Sequence, residues 1–152
     1  MIGEKELTLD TSVIIKEMIP PKRRDKKRNE RIRKFKTANT YMKLLFSGKI
    51  IGFIPSAVLV ELSAVGTRLT GSKKFGISLA GKIEEICTVL YDEEILDNAI
   101  GVSAQYKASG FDNLLLTCAI LTNTLLFTDD KKLHNLYDKA KIKSYLLDDL
   151  IK

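Results

Sequence analysis

Four acidic residues, Asp10, Glu61, Asp112 and Asp130, stand in surroundings that do not suit a lone charge. Asp10 directly follows the apolar run Leu7–Leu9, and Asp130 follows Leu125–Phe127. Glu61 is the only charge between Ala57 and Val65, and Asp112 opens the apolar stretch Phe111–Thr122. A partly buried carboxylate costs several kcal/mol unless it is paired. No Lys or Arg lies in Glu6–Ile15, Ile50–Val65 or Phe111–Thr128, so local basic partners are absent from the sequence around these acids. Two carboxylates about 4 Å apart repel by about 4 kcal/mol at an effective dielectric near 20. Either some are protonated or a cation sits among them. Hard oxygen ligands suit Mg²⁺ or Mn²⁺, which keep several waters and accept phosphate oxygens as further ligands. Beside a phosphodiester, such an ion lowers the pKa of a bound water and neutralises charge on the scissile phosphate, which is metal-assisted hydrolysis. Taken singly, Asp10, Asp112 and Asp130 would also serve as plain helix N-caps, with Asp129 as good a cap as Asp130. Glu61, in mid-helix, caps nothing.

A second feature bears on the partner of such a site. The chain has 25 Lys and Arg against 19 Asp and Glu, a net charge of +6. Between Lys22 and Lys36 ten basic residues face only Asp25 and Glu30, so this segment carries more than the whole net charge. Five of the six arginines fall inside it: Arg23, Arg24, Arg28, Arg31 and Arg33. The guanidinium fork matches phosphate oxygens, so Arg23, Arg24, Lys26, Lys27, Arg28 and Arg31 are candidates for holding a nucleic acid or an acidic partner protein. Only Phe35 and Tyr41 are aromatic nearby, so no base-stacking platform is evident there.

The elements that must position these residues follow from periodicity. Strands are expected at Leu7–Leu9, Ile50–Ile54, Thr88–Tyr91, Leu125–Phe127 and Ile142–Leu146. Helices are expected at Val13–Met18, from about Arg23 to Phe46, over Ala57–Val65, from Gly71 to about Cys87, from an Asp92 N-cap to near Gly110, over Phe111–Thr122 and over Lys131–Ala140. Strands alternating with helices argue for an α/β fold with a mainly parallel sheet, whose ligands sit beyond the carboxyl ends of the strands. Two of the strands end in Asp. The length fits one domain over 1–152, and no apolar stretch approaches the ~20 residues of a membrane span. Cys87 and Cys118, 31 positions apart, lack metal-ligand spacing and read as core residues of a protein of the reducing cytoplasm.

The ordered set of motifs resembles the PIN-domain ribonucleases: a strand leading into Asp10-Thr11-Ser12, Glu61 in mid-helix, Asp112-Asn113-Leu114-Leu115 opening an apolar helix, then Thr128-Asp129-Asp130 after a strand. The likeness runs from Leu7 to Leu146 and is strongest to the VapC toxins of type II toxin–antitoxin pairs, particularly archaeal ones with a basic insert after the first strand. The resemblance implies a three-layer α/β/α sandwich and an acidic quartet of Asp10, Glu61, Asp112 and Asp130 binding Mg²⁺ or Mn²⁺. It implies Ser12 and Thr128 as polar supports, with Asp129 auxiliary. It further implies RNA cleavage, a homodimer, and inhibition by a cognate antitoxin. Asn113 stands where the family often has Ala.

Other chemistries find little support. His134 is the only histidine, and no Ser–His or Cys–His set suggests nucleophilic catalysis. No P-loop or Gly-rich dinucleotide motif occurs. The non-enzymatic alternative is a PIN-like module that binds nucleic acid without cleaving it.

Overall fold

The computed structural model describes residues 3–18, 20, 26–108 and 110–150. At its centre lies strand β1 (Glu6–Leu9), in which Leu7, Thr8 and Leu9 are all buried. Successive strand residues face opposite sides, so both faces of β1 are covered. The same holds for β4 (Leu125–Thr128), buried along its whole length. Such unbroken apolar strands belong to a sheet with helices on both faces, and every strand pair is parallel.

The sheet has five strands in the order β3 (Cys87–Leu90), β2 (Ile51–Pro55), β1, β4 and β5 (Ser144–Leu146). From β1 the chain moves outward to β2 and β3, then returns to the other side of β1 for β4 and β5. The strand order therefore reverses between β1 and β4. At such a switch point the segments leaving two neighbouring strands diverge, and a crevice opens at their carboxyl ends. Asp10 follows β1 and Asp129-Asp130 follow β4, so the sequence places three acids at this crevice.

Among the described residues seven α-helices and one 3₁₀ turn (Leu147–Leu150) surround the sheet. Helix α1 (Thr11–Met18) packs on α2 (Arg28–Phe46), and α3 (Ser56–Thr70) on α4 (Lys73–Ile86). Helix α5 (Asp92–Tyr106) packs on α6 (Gly110–Thr122), which lies against β1 and β2, while α7 (Lys131–Lys139) covers β4 and β5. The main core gathers Leu7, Leu9, Ile14, Met42, Leu62, Leu116 and Phe127. A smaller cluster of Leu90, Ile95, Ala99 and Cys118 fills the space under α5. No helix among the described residues is long and apolar enough to cross a membrane.

Several boundaries differ from the sequence expectation for local reasons. Helix α2 starts at Arg28; Lys26 and Lys27 form a turn, and Arg23 and Arg24 lie outside the described residues. Asp92 is the first residue of α5 rather than its N-cap, because β3 stops at Leu90 and Tyr91 takes the extended cap conformation. The Glu94 carboxylate accepts the Tyr91 amide at 2.8 Å, closing the first turn from inside. Helix α5 ends at Tyr106, short of Gly110. Ile142 belongs to the turn after α7, its amide bonded to the Tyr137 carbonyl, which shortens β5 to three residues.

Candidate active site

At the switch point the structure brings Asp10, Glu61, Asp112 and Asp130 around one pocket of about 350 Å³. Each comes from a different place: the end of β1, the middle of α3, the first turn of α6 and the residue before α7. Helix α3 is buried at Val58, Leu62 and Gly66, so Glu61, one position before Leu62, is carried to the half-buried edge of that stripe.

Asp10 is the most enclosed of the four, with 7% of its surface exposed. Its Oδ2 accepts the Thr128 hydroxyl at 2.7 Å and a short hydrogen bond from Ser12. Both hydroxyl oxygens are held in turn by backbone amides. Asp129 N donates to Ser12 Oγ at 2.9 Å, and Asp130 N donates to Thr128 Oγ1 at 2.9 Å. A relay of four hydrogen bonds thus fixes Asp10 against the turn after β4. Burial pushes the Asp10 carboxyl above its ordinary value; the two hydroxyl donors oppose this, and the nearby charges of Glu61 and Asp130 add to it. The pocket has an excess of negative charge.

The remaining acids find partners that the sequence hides. Glu61 Oε2 accepts the Thr11 hydroxyl at 2.7 Å. Asp130 does cap α7: its Oδ1 accepts the amides of Lys132 at 2.7 Å and Leu133 at 3.3 Å. Asp112 Oδ2 lies 3.4 Å from Lys132 Nζ, whose side chain is 86% exposed. The expectation that these acids lack a basic partner is therefore corrected at Asp112. The cation comes from α7, outside the apolar runs that hold the acids. Asp10 stands at the N-cap position of α1, its carbonyl accepting the Val13 amide at 3.2 Å while its Oδ2 is taken by two hydroxyls. Asp112 lies inside the first turn of α6 and is not an N-cap.

Asp129 and Asp130 have separate duties. Asp129 turns away from the pocket into an ion cluster, with Lys16 Nζ at 2.7 Å and Lys34 Nζ at 2.8 Å. Lys34 also reaches Asp148 at 2.8 Å. Burial pulls Lys34 down, but its two carboxylate partners outweigh this and hold it above its ordinary value. Thr11, Lys16, Lys34, Lys132 and Asp148 were not singled out from sequence. Thr11, between two candidate residues, was the one that position alone could have flagged. Lys26, Lys27 and Arg28 are exposed and Arg31 is half-buried. His134 does not line the pocket; its Nδ1 is 2.7 Å from Ser144 Oγ.

The donor set fits a hard divalent cation in kind: carboxylate oxygens around one electronegative pocket. It is not assembled as a cage. Among the described residues no three Asp, Glu, His or Cys side chains stand grouped so as to hold an ion. Glu61, Asp112 and Asp130 turn instead to a hydroxyl, an ammonium and helix amides respectively.

A parallel sheet with acids converging at its switch point defines an α/β protein with a polar, anionic crevice. The PIN domain family model matches residues 7–139, and the chain belongs to that family. PIN domains are typically metal-dependent nucleases. Among solved structures, the chain is similar to a domain of a functionally unknown protein from Methanocaldococcus jannaschii DSM 2661, with 24% identity and a TM-score of 0.50. That match covers 94% of this chain and 91% of the other, and speaks to the fold alone. No curated protein matches the sequence.

Proposed function

We propose that this chain is a metal-dependent endoribonuclease and the toxin of a type II toxin–antitoxin pair. The observation that carries the reading is the convergence of four acids, from four separate elements, on one pocket at the sheet's switch point. In this reading Asp10, Glu61, Asp112 and Asp130 hold Mg²⁺ or Mn²⁺. When bound, the ion supplies Lewis-acid chemistry, activating water and offsetting charge on the scissile phosphate. Ser12 and Thr128 hold Asp10 in one orientation, so it meets an incoming ion without searching rotamers. Asp129 supports them through its amide while its own charge is neutralised by Lys16 and Lys34. Lys132, exposed at the pocket rim, exchanges Asp112 for a substrate phosphate. Arg23, Arg24, Lys26, Lys27, Arg28 and Arg31 hold RNA or the antitoxin, and the active form is a homodimer.

One observation favours a second reading. No three ligand-type side chains are grouped for an ion among the described residues, as expected of a PIN module that binds RNA without cleaving it. Total host RNA incubated with antitoxin-free protein and Mn²⁺, beside Asp112→Asn, separates the two. Discrete fragments from the wild type alone support the nuclease. Equal cutting by both proteins removes Asp112 from the site, and no cutting by either favours the binding module.

A further inference from the structure

A groove of about 670 Å³ lies between the end of α5 and one face of α7. It adjoins the acidic pocket, because Asp112 and Lys132 line both. Helix α7 faces the groove with Lys132, Asn135, Leu136 and Lys139, whose spacing of three, four and seven positions makes a single helical stripe. Tyr106 and Lys107 face it from α5. Lys107 takes a left-handed conformation, φ 54°, where a helix usually ends in Gly, so a cation stands where no side chain is needed for the turn.

The groove is cationic: Lys107, Lys132 and Lys139 against the single carboxylate of Asp112. Among the described residues neither Lys107 nor Lys139 has an ion-pair partner. Asp138, the acid of α7, lies toward His134. Tyr106 adds a half-buried ring whose hydroxyl accepts from Gln105 Nε2 at 3.1 Å.

We propose that this groove is a subsite for single-stranded RNA, with Lys107 and Lys139 on the phosphates that flank the scissile bond and Tyr106 against a base. The proposal rests on the nuclease reading and names the strand's path. A polyanion entering a pocket of four carboxylates is repelled unless cations flank it, and these lysines stand beside the shared wall. Sequence-tolerant binding of single strands combines such cations with an aromatic face. An acidic protein segment would also use the lysines, but it has no need of continuity with the acidic pocket. A strand whose phosphate reaches that pocket must cross the shared wall.

The test is fluorescence anisotropy of the full chain with a labelled oligouridylate of about 12 nucleotides, in EDTA so that no cleavage intervenes. The Lys107→Ala/Lys139→Ala variant is expected to bind on the order of tenfold more weakly. Its salt dependence becomes shallower by roughly 1.4, from two contacts at about 0.7 each. Lys107→Arg/Lys139→Arg restores both, which a folding defect would not allow. Tyr106→Leu lowers affinity and leaves the salt slope alone. Unchanged affinity and slope in the alanine variant overturn the subsite, and the nuclease reading survives if the wild type cuts RNA. A wild type that fails to bind the oligouridylate also overturns the subsite, whether or not it cuts. Loss of binding in the variant of a protein that never cuts RNA keeps the groove as an RNA site and overturns the nuclease.

Discussion

Lys34 Nζ lies 2.8 Å from Asp129 Oδ1 and 2.8 Å from Asp148 Oδ1, so one ammonium ties the basic helix α2 to the turn after β4 and to the 3₁₀ turn. Lys16 takes the other oxygen of Asp129. The basic segment is therefore not only a solvated face: one of its lysines is 11% exposed and structural. By satisfying Asp129, it holds the turn whose amides support Ser12 and Thr128.

Replacing Lys34 by Met leaves Asp129 and Asp148 facing each other with Lys16 as the remaining cation. Loss of its charge-assisted hydrogen bonds should cost about 2 kcal/mol. Urea denaturation checks this, with a lower midpoint at unchanged slope as the expected result. The loss should persist at high salt, since ions screen a covered pair weakly.

Thr128→Val keeps the shape of a fully buried side chain and removes its hydroxyl. The Asp130 amide then loses its acceptor and Asp10 loses one of two hydroxyl donors. A cost of about 1–3 kcal/mol is expected, read from the same urea midpoints. Thr128→Ser, which keeps the hydroxyl, should recover most of it.

Helices α3 and α4 approach closely at Gly76, where a methyl group would overlap the Ser63 carbonyl oxygen and Thr67 Oγ1. Ser63 and Thr67 belong to α3, and a backbone carbonyl cannot move aside as a side-chain tip can. Gly76→Ala should destabilise by about 1–3 kcal/mol through overpacking, against the usual gain from Ala in a helix. Gly81→Ala, with open space at its Cβ, is the control and should be neutral or stabilising.

Burial pushes the thiols of Cys87 and Cys118 up to about 12. The thiolate is the reactive form, so alkylation at a pH of about 8 should be slow in the native protein and should reach both cysteines in denaturant. The folded state holds these protons more tightly than the unfolded chain. Their contribution to stability is whole below about 8.5, the unfolded value, and is lost as the pH rises toward about 12. Denaturation midpoints across that alkaline range give the measurement. A Cys87→Ser/Cys118→Ala variant should show a shallower dependence, the remainder coming from Tyr137, whose buried hydroxyl is also held well above its ordinary value.

Much of the fold was legible because the central strands are covered on both faces and read as unbroken apolar runs, such as Leu125–Phe127. Strand order was not, since nothing in a strand's own residues says which neighbour it pairs with. The acids of the pocket were legible for the opposite reason: a charge inside an apolar run announces itself. Lys34 and Lys132 were hidden. One is a lysine among ten cations, and the other belongs to a helix whose exposed face is expected to carry lysines. Asp129 and Asp130 were equally good caps in sequence, with only the family resemblance favouring Asp130 for the quartet; in three dimensions one meets two ammonium groups and the other caps α7.

Asp10 offers the sharpest test of the pocket's charge. Its carboxylate is buried beside Glu61 and Asp130, and its hydrogen-bond partners among the described residues are the hydroxyls of Ser12 and Thr128, with no ammonium. Without metal, Asp10→Asn removes a desolvated charge and two repulsions while the amide oxygen still accepts from Ser12 and Thr128. The variant should therefore be more stable than the wild type, by about 1 kcal/mol or roughly 3 °C in Tm. With Mn²⁺ the order should reverse. A ligand that binds only the folded state adds about 2.7 kcal/mol at a hundred times its Kd, so the wild type should gain several degrees and Asp10→Asn should gain little. Thermal melts of both proteins with EDTA and with Mn²⁺ measure all four states. A variant less stable than the wild type in EDTA would mean that the hydroxyl relay outweighs the repulsion. Equal gains from Mn²⁺ in both proteins would place the ion away from Asp10.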